Sequence, residues 1–214
     1  MGSLLDRLGL AEPTPHLLGD RVSLRPARAG DWAAWAALRA ESRDFLTPWE
    51  PTWPHDALTR RGFQRRLRRL RSEARLGWGH SFLIFRRSDA VLLGGVTLSS
   101  LHRGVAQSCS VGYWIGAPHI RQGPLRDTTD TILRYVFEHL RLHRLEAACQ
   151  PENLPSRQLL LAAGFAVEGL AREYLRINGA WRDHVLFGML AANWRARQSL
   201  IAVSTANLAP ARSD

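Results

Sequence analysis

The sequence predicts an α+β fold built on one mixed, mostly antiparallel twisted sheet, and three observations support this. First, strand-like and helix-like runs follow each other as strand, two helices, three strands, helix, strand, helix and hairpin. Second, residues 110–149 form a strand–helix–strand unit, which makes a right-handed crossover between two parallel strands. Third, Asn178-Gly179 lies between two alternating segments, a strong hairpin signal. We therefore expect a single parallel pair, helices on both faces of the sheet and a C-terminal β-hairpin.

The first elements are predicted from alternation, capping and proline positions. Residues 21–26 alternate like a strand and end at a proline. Asp31 is a good N-cap for a helix that runs to about Glu41, with tryptophans on one face. Residues 42–56 hold three prolines, which exclude a regular helix, and two tryptophans that are either packed lids or a ligand wall. A second helix is predicted over residues 57–75.

An antiparallel block follows, and it leads into a helix. Residues 81–85 and 91–98 are strands joined by a turn at Ser88-Asp89, and Gly94-Gly95 marks a bulge or a close backbone approach. The run Ser108–Ile115 carries no charge and alternates, as a mostly buried strand does. After it, an apolar stripe at helical spacing predicts a helix; its residues are Ile132, Leu133, Val136, Phe137 and Leu140.

The last third of the chain contains the parallel partner and the hairpin. Residues 144–149 are a buried strand, and residues 155–162 are a short helix with its three leucines facing inward and Gly164 as its stop. Residues 173–177 and 181–190 are the two hairpin strands. From Asn193 onward the chain is polar and alanine-rich, which fits a short helix followed by a tail.

The length of 214 residues fits one domain, which we place at residues 21–194 between a flexible lead-in (1–20) and a C-terminal tail (195–214). No apolar run reaches the roughly 20 residues of a membrane span, and the N-terminus lacks the pattern of a secretory signal. A cytoplasmic protein is therefore expected. Cys109 and Cys149 lie in apolar runs, so we expect buried, reduced thiols.

The basic charge comes from arginine alone. The formal net charge is +10 and the sequence has no lysine, which removes lysine Schiff-base chemistry. The densest run, residues 60–71, is either the solvated face of a helix or a surface that faces RNA or a ribosome.

The stretch from Ser108 to Asp127 could hold a phosphate. It is predicted to be a strand, a glycine-containing loop with Arg121 and Gln122, and then the first turn of a helix. Free N–H groups and the helix dipole both favour an anion at such a place. One glycine and one arginine are also common in ordinary loops.

With the element order established, several segments carry a resemblance to a known family. The loop at residues 119–124, the segment Asn153-Leu-Pro-Ser-Arg157 and Ala163-Gly-Phe165 resemble the GNAT superfamily of acetyl-CoA-dependent N-acetyltransferases. Residues 46–51, 102–104 and 168–186 are similar to the ribosomal-protein-alanine N-acetyltransferases. The resemblance covers about residues 21–194, and it implies a parallel pair that splays apart to admit acetyl-CoA as cosubstrate, with no metal.

The resemblance assigns cofactor contacts to named positions. The backbone of the strand Tyr113-Trp114-Ile115 would pair with the pantetheine arm, and Asn153 would contact it beside Arg157. The loop would hold the pyrophosphate; its positions are Arg121, Gln122, Gly123, Pro124, Leu125 and Arg126. Two of them, Pro124 and Leu125, depart from the usual motif, and Pro124 has no N–H to donate. We therefore expect a cradle with one amide fewer.

The resemblance also implies catalytic roles. Ser156 matches a serine placed to protonate the departing thiolate, although it could equally be a cap at the start of its helix. The backbone N–H near Ile115 would face the thioester oxygen. Candidate bases for the amine are Glu50, Glu173 and Asp183, each of which could instead be a solvated or paired carboxylate, and water could replace them.

Three functions remain open from the sequence. The first is acetylation of the N-terminal alanine of a ribosomal protein, with possible ribosome association. The second is acetylation of a small amine by the same fold, which would favour an acidic pocket. The third is a basic, non-enzymatic module that binds RNA. The sequence is compatible with a monomer or a homodimer and predicts no membrane partner.

Overall fold

A computed structural model describes residues 14–206 of the chain, with side chains described to residue 200. Within this part, eight strands form one sheet in the spatial order β1-β2-β3-β4-β5-β6-β8-β7. The strands are β1 (Leu17–Leu18), β2 (Val22–Arg25), β3 (His80–Arg86), β4 (Leu92–His102), β5 (Ser108–Ile115), β6 (Arg144–Cys149), β7 (Ala166–Ile177) and β8 (Ala180–Leu190). The helices are α1 (Trp32–Glu41), α2 (Arg43–Leu46), α3 (Arg60–Arg75), α4 (Pro124–Arg134), α5 (Leu154–Ala163) and α6 (Ala191–Ala206).

The predicted fold class is confirmed. Among the described strands, β5 and β6 alone pair in parallel, and every other neighbouring pair is antiparallel. The strand predicted at residues 108–115 and the strand predicted at residues 144–149 have the observed boundaries. The hairpin turn also agrees, because Asn178 and Gly179 have φ angles of 45° and 83°, as a type I′ turn requires.

Two predictions about helices needed correction, one of which had excluded a regular helix from residues 42–56. The segment of residues 42–56 does contain one short helix, α2, which ends before Pro48; a 3₁₀ turn, Thr47–Trp49, follows. The prolines therefore limit the helix without preventing it, because their restriction acts on the residues just before them. Helix α3 begins at Arg60 rather than at residue 57, since the Thr59 side chain accepts a hydrogen bond from the Gly62 N–H and caps it.

The inward orientation predicted for the three leucines of α5 is wrong for Leu161. Leu160 is fully buried, whereas Leu161 is half exposed. Three consecutive residues span about 200° around a helix, so a helix that packs with one side cannot bury all of them. Gly164 ends α5 with a φ of 95°, as predicted.

Helices cover the sheet from two sides and create two apolar cores. The larger core lies against α4 and α5 and includes Val111, Tyr113 and Ile115 of β5. The smaller core lies against α1 and α3 and contains Trp35 and Phe63, with Trp114 packed on it. Successive β5 residues therefore face opposite sides, as a pleated strand requires.

The two cysteines are buried and free, as expected. Burial, together with the nearby Glu146 carboxylate, raises the pKa of Cys109 to about 12, so this thiol stays protonated. In the described residues, no helix is both long and apolar enough to cross a bilayer. The same part of the chain has no group of three side chains suited to hold a metal ion.

The predicted domain limits stay a prediction. Residues 1–13 and 207–214 lie outside the described part. Two elements extend past the proposed limits: β1 pairs with β2 before residue 21, and α6 continues beyond residue 194.

Candidate active site

The parallel strands β5 and β6 separate halfway along their length. Their pairing begins at Ser108↔Arg144 and stops at Val111↔Ala147, although β5 continues to Ile115 and β6 to Cys149. A gap therefore opens between the carboxyl ends of the two strands. Ligands of such sheets bind at this kind of place, where neighbouring connections diverge.

The register shows which backbone groups face this gap. The Gly116 N–H donates to the Leu93 carbonyl of β4 at 2.8 Å, so Gly116 and Leu93 are a hydrogen-bonded pair. In an antiparallel ladder, bonded and non-bonded pairs alternate, so Ile115 and Tyr113 belong to non-bonded pairs with β4. Their N–H and C=O groups point toward the β6 side, beyond the last β5–β6 pair. An extended ligand can pair with these groups, whereas the backbone of Trp114 is turned toward β4.

The loop before α4 has the form of an anion cradle. Arg121 and Gly123 have φ angles of 58° and 86°, and Gly123 is the residue that precedes the helix. Within residues 14–206, the N–H groups of Arg121, Gln122, Gly123 and Leu125 have no protein acceptor. Helix α4 presents its N-terminus to the same place, so unpaired N–H groups and the helix dipole both favour an anion there.

Neighbouring residues hold this cradle in place. Pro124 is the first helical residue, where its missing N–H costs nothing to the helix. The Asp127 carboxylate accepts hydrogen bonds from the N–H groups of Asp20, Arg21 and Val22 at 2.7 to 3.0 Å. This anchor brings Arg21 beside the loop, since an ideal Cβ on Gly123 would lie 3.5 Å from its guanidinium. Arg21 adds a cation that the sequence did not reveal.

The start of α5 brings three predicted residues to the end of β6. The Asn153 side-chain oxygen accepts the Ser156 N–H at 3.1 Å and caps the helix, which leaves the Asn153 amide nitrogen available. Arg157 donates to the Pro151 carbonyl at 3.1 Å. The cap is therefore made by Asn153 rather than by Ser156, and the Ser156 hydroxyl is left for other partners.

The Ser156 hydroxyl lies between the two separated strands. It is 2.8 Å from the Tyr113 hydroxyl of β5, and it offsets part of the rise in the pKa of the Cys149 thiol of β6. Burial raises the pKa of Tyr113 above its usual range, an effect only partly offset by its bond to Ser156. Burial likewise raises the pKa of Cys149. Three protonated groups thus meet at the gap, and none is an activated nucleophile.

On the other face of the sheet, Glu50 is fully engaged. Arg39 donates to both Glu50 carboxylate oxygens, at 2.7 and 2.5 Å, and the Trp53 indole donates to one of them at 2.8 Å. The Arg39 guanidinium also lies over the Trp53 and Trp114 rings, 4.1 and 4.8 Å from their centroids. Trp53 and Trp114 thus sit against this ion pair, while Trp49 ends the short 3₁₀ turn.

The remaining candidates lie on the hairpin. Glu173 is exposed, and its carboxylate has no ion pair in the part of the chain that is described. Its N–H donates to Asp183 at 2.8 Å, which engages one Asp183 oxygen. The hairpin reaches the loop of Glu50 because the Asn178 N–H donates to the Glu50 carbonyl. The buried His184 donates through Nδ1 to the Arg182 carbonyl and packs edge-on against Tyr174.

The arrangement suits acetyl-CoA. The gap offers the backbone of Tyr113 and Ile115 to an extended amide-containing chain, and the loop offers free N–H groups to a pyrophosphate. The sequence identified the loop, Ser156 and the backbone of Tyr113, but it missed Arg21, Arg39 and the contact of the Tyr113 side chain with Ser156. The alternation of β5 placed Tyr113 on one face of the strand, but it could not show that Ser156, 43 positions away, is its partner.

Comparisons with known proteins agree with this geometry. The acetyltransferase (GNAT) domain family matches residues 21–166. A probable N-acetyltransferase, YjcK of Bacillus subtilis, is 33% identical over 174 residues, which cover 81% of this chain and 96% of that protein. The [ribosomal protein uS5]-alanine N-acetyltransferase of Escherichia coli is 32% identical over 182 residues, 85% of this chain and 94% of its own length.

A solved structure extends the likeness to three dimensions. RimJ of Mycobacterium smegmatis, solved in complex with CoA-disulfide, superposes with a TM-score of 0.79 at 34% identity. The match covers 91% of this chain and 94% of that one.

Proposed function

The chain belongs to the GNAT family of acetyl-CoA-dependent N-acetyltransferases, and we propose that its acceptor is the N-terminal alanine of a ribosomal protein. The match over nearly the whole length of the [ribosomal protein uS5]-alanine N-acetyltransferase of Escherichia coli supports this acceptor. The neutralised Glu50 supports it further. A polyamine or another polycationic amine would need free carboxylates, whereas Arg39 already compensates the carboxylate that lies on the acceptor side.

In this proposal the loop and the gap bind acetyl-CoA. The amides of Arg121, Gln122, Gly123 and Leu125 and the Arg21 guanidinium hold the pyrophosphate. Asn153 with the Ile115 strand end holds the pantetheine arm. When bound, acetyl-CoA supplies a thioester whose acyl carbon the amine attacks. The Ile115 N–H, which points into the gap, then stabilises charge on the carbonyl oxygen. The fixed backbone does this without reorganising during the reaction.

The remaining roles concern protons. An α-amino group has a pKa near ~8, so part of it is already neutral and positioning supplies much of the rate. Ser156 protonates the departing sulfur. Glu173, which has no ion pair among the described residues, accepts the amine proton directly or through water. Glu50 is held by Arg39, so its role is to shape the acceptor side. It can accept a proton only when that ion pair opens.

An acceptor panel tests the function. Peptides that begin with Ala, Ser or Met, and spermidine, are incubated with acetyl-CoA while thiol release is followed. We expect the highest kcat/KM for the alanine peptide, and none for the same peptide with a blocked N-terminus. Faster turnover of spermidine would instead identify a small-amine acetyltransferase. Absence of acetyl-CoA binding in calorimetry would contradict the enzymatic role altogether.

We also propose that the enzyme works in the cytoplasm in contact with ribosomal particles, through the arginines of α3. Arg65 and Arg69 pair with Asp56 and Glu73, whereas the other exposed arginines of α3 have no ion pair in the described part. They are Arg60, Arg61, Arg68, Arg71 and Arg75. Such a row of uncompensated charges suits phosphate groups of RNA.

A charge-matched pair of variants tests this association. Arg61, Arg68 and Arg75 lie along one line of α3, and changing all three to Glu is expected to abolish cosedimentation with ribosomal particles. Acetylation of a free peptide should not change. The control changes Arg134, Arg141 and Arg195 to Glu. These three residues are exposed and lie away from α3, so the net charge changes by the same amount while α3 stays intact. Equal loss in both variants would show that only total charge matters and would overturn the proposed surface.

A further inference from the structure

The contact between Tyr113 and Ser156 lies where the proposed reaction takes place. Tyr113 is two residues beyond Val111, the last β5 residue paired with β6, so its side chain belongs to the separated part of the strand. Its ring packs on the larger core, and its hydroxyl ends 2.8 Å from Ser156 Oγ. The core holds the ring, and hence the hydroxyl, in a fixed position.

The hydrogen bond between the two hydroxyls allows either direction. Burial raises the pKa of Tyr113, so the phenol keeps its proton and is able to donate. When Tyr113 donates, Ser156 Oγ accepts and its own hydrogen points elsewhere. The Cys149 thiol lies on the β6 side of the gap, close enough for Ser156 to offset part of the rise in its pKa. The Ser156 hydrogen, once freed by Tyr113, can therefore point between the strands.

The rest of Ser156 is fixed as well. Its N–H is bonded to Asn153, so the backbone of the residue cannot rotate freely. A serine hydroxyl normally samples several orientations. When Tyr113 donates, it occupies one acceptor position of Ser156 Oγ, and the backbone of Ser156 is tied to the helix cap. The hydroxyl then has fewer orientations open to it before any substrate arrives.

We propose that Tyr113 is a positioning residue that orients the Ser156 hydroxyl toward the departing sulfur. This inference rests on the proposed role of Ser156. As the carbon–sulfur bond breaks, its electron pair stays on the sulfur, and Ser156 gives its proton to that sulfur. The Tyr113 O–H stabilises the charge that develops on Ser156 Oγ. The acceptor amine loses a proton, and water carries this proton to Ser156. Tyr113 therefore keeps its own proton throughout the reaction.

A double-mutant cycle tests the proposal. Tyr113→Phe, Ser156→Ala and the double variant are compared for kcat, for KM of both substrates, for acetyl-CoA Kd and for Tm. For Tyr113→Phe we expect kcat to fall about tenfold, the loss of a hydrogen bond of about 1.4 kcal/mol, with Kd unchanged. The double variant should be no slower than Ser156→Ala alone, because Tyr113 acts through Ser156.

The control is Tyr135→Phe, which removes a buried tyrosine hydroxyl outside the site and should leave kcat unchanged. A full-speed Tyr113→Phe enzyme would overturn the inference, and so would effects that multiply in the double variant. A fall in Tm with unchanged kcat would show that the contact only supports α5. If Ser156→Ala is itself fully active, the proposed acid role fails; if it is impaired while Tyr113→Phe is not, only the positioning role fails.

Discussion

Ser156→Ala is expected to lower kcat about a hundredfold while leaving acetyl-CoA affinity unchanged, the lower end of what one general acid contributes. The reason is geometric. Ser156 lies at the separated ends of β5 and β6, with its hydroxyl 2.8 Å from the Tyr113 hydroxyl. Its removal leaves the cap of α5 intact, because Asn153 caps the helix through the Ser156 backbone N–H. The fold and the anion cradle should therefore survive.

The measurement combines steady-state kinetics with calorimetry. Ser199→Ala, an exposed serine hydroxyl on α6, serves as the control and should behave as wild type. A wild-type kcat for Ser156→Ala would remove the acid role and leave protonation to water. A weakened acetyl-CoA Kd with unchanged kcat would assign the hydroxyl to binding instead.

The second large effect is on stability. Glu50→Gln should lower the free energy of unfolding by about 3 kcal/mol, because removing one partner of this largely desolvated, part-buried pair leaves an uncompensated charge. The Arg39 and Glu50 side chains are 11% and 19% exposed, so little water can replace the lost partner. The Arg39 Nε already has no acceptor within the described part. For a chain of this size the Tm should fall by about 6–12 °C.

Denaturant unfolding of matched variants checks this prediction. Glu73→Gln breaks an exposed pair with Arg69 and should cost less than about 1 kcal/mol. Changing Arg39 and Glu50 together to leucine should cost less than Glu50→Gln alone, since no charge is then left unpaired. A Glu50→Gln protein that is stable but slow, with a normal KM, would instead identify Glu50 as the base.

Local patterns predicted the elements near the site because their information is local. The alternation of Ser108–Ile115 and the apolar run of Arg144–Cys149 gave both strands with their observed ends. The Asn178-Gly179 turn needed only two residues with positive φ, which these residue types adopt readily. Leu161 and the start of α3 were predicted less well, because burial and capping depend on what packs against each helix.

The candidate site shows the same division. The loop of residues 121–126 was recognised from a short motif, and its free amides follow from the strand, loop and helix order. The contacts of Arg39 with three tryptophan rings could not be recognised from the sequence, because Trp35, Trp53 and Trp114 come from three separate segments. Arg21 likewise reaches the loop only because Asp127 anchors a distant turn.

The sequence by itself therefore determined the order of strands and helices, the parallel crossover and the phosphate-type loop, all of which rest on periodicity, turn residues and helix ends. Only the tertiary structure decided that β5 and β6 separate after Val111 and Ala147. Only the tertiary structure showed that Tyr113 contacts Ser156 and that Glu50 pairs with Arg39. These choices depend on which side chains share a buried space, and several hydroxyls and carboxylates of this chain could have filled each place equally well by pattern alone.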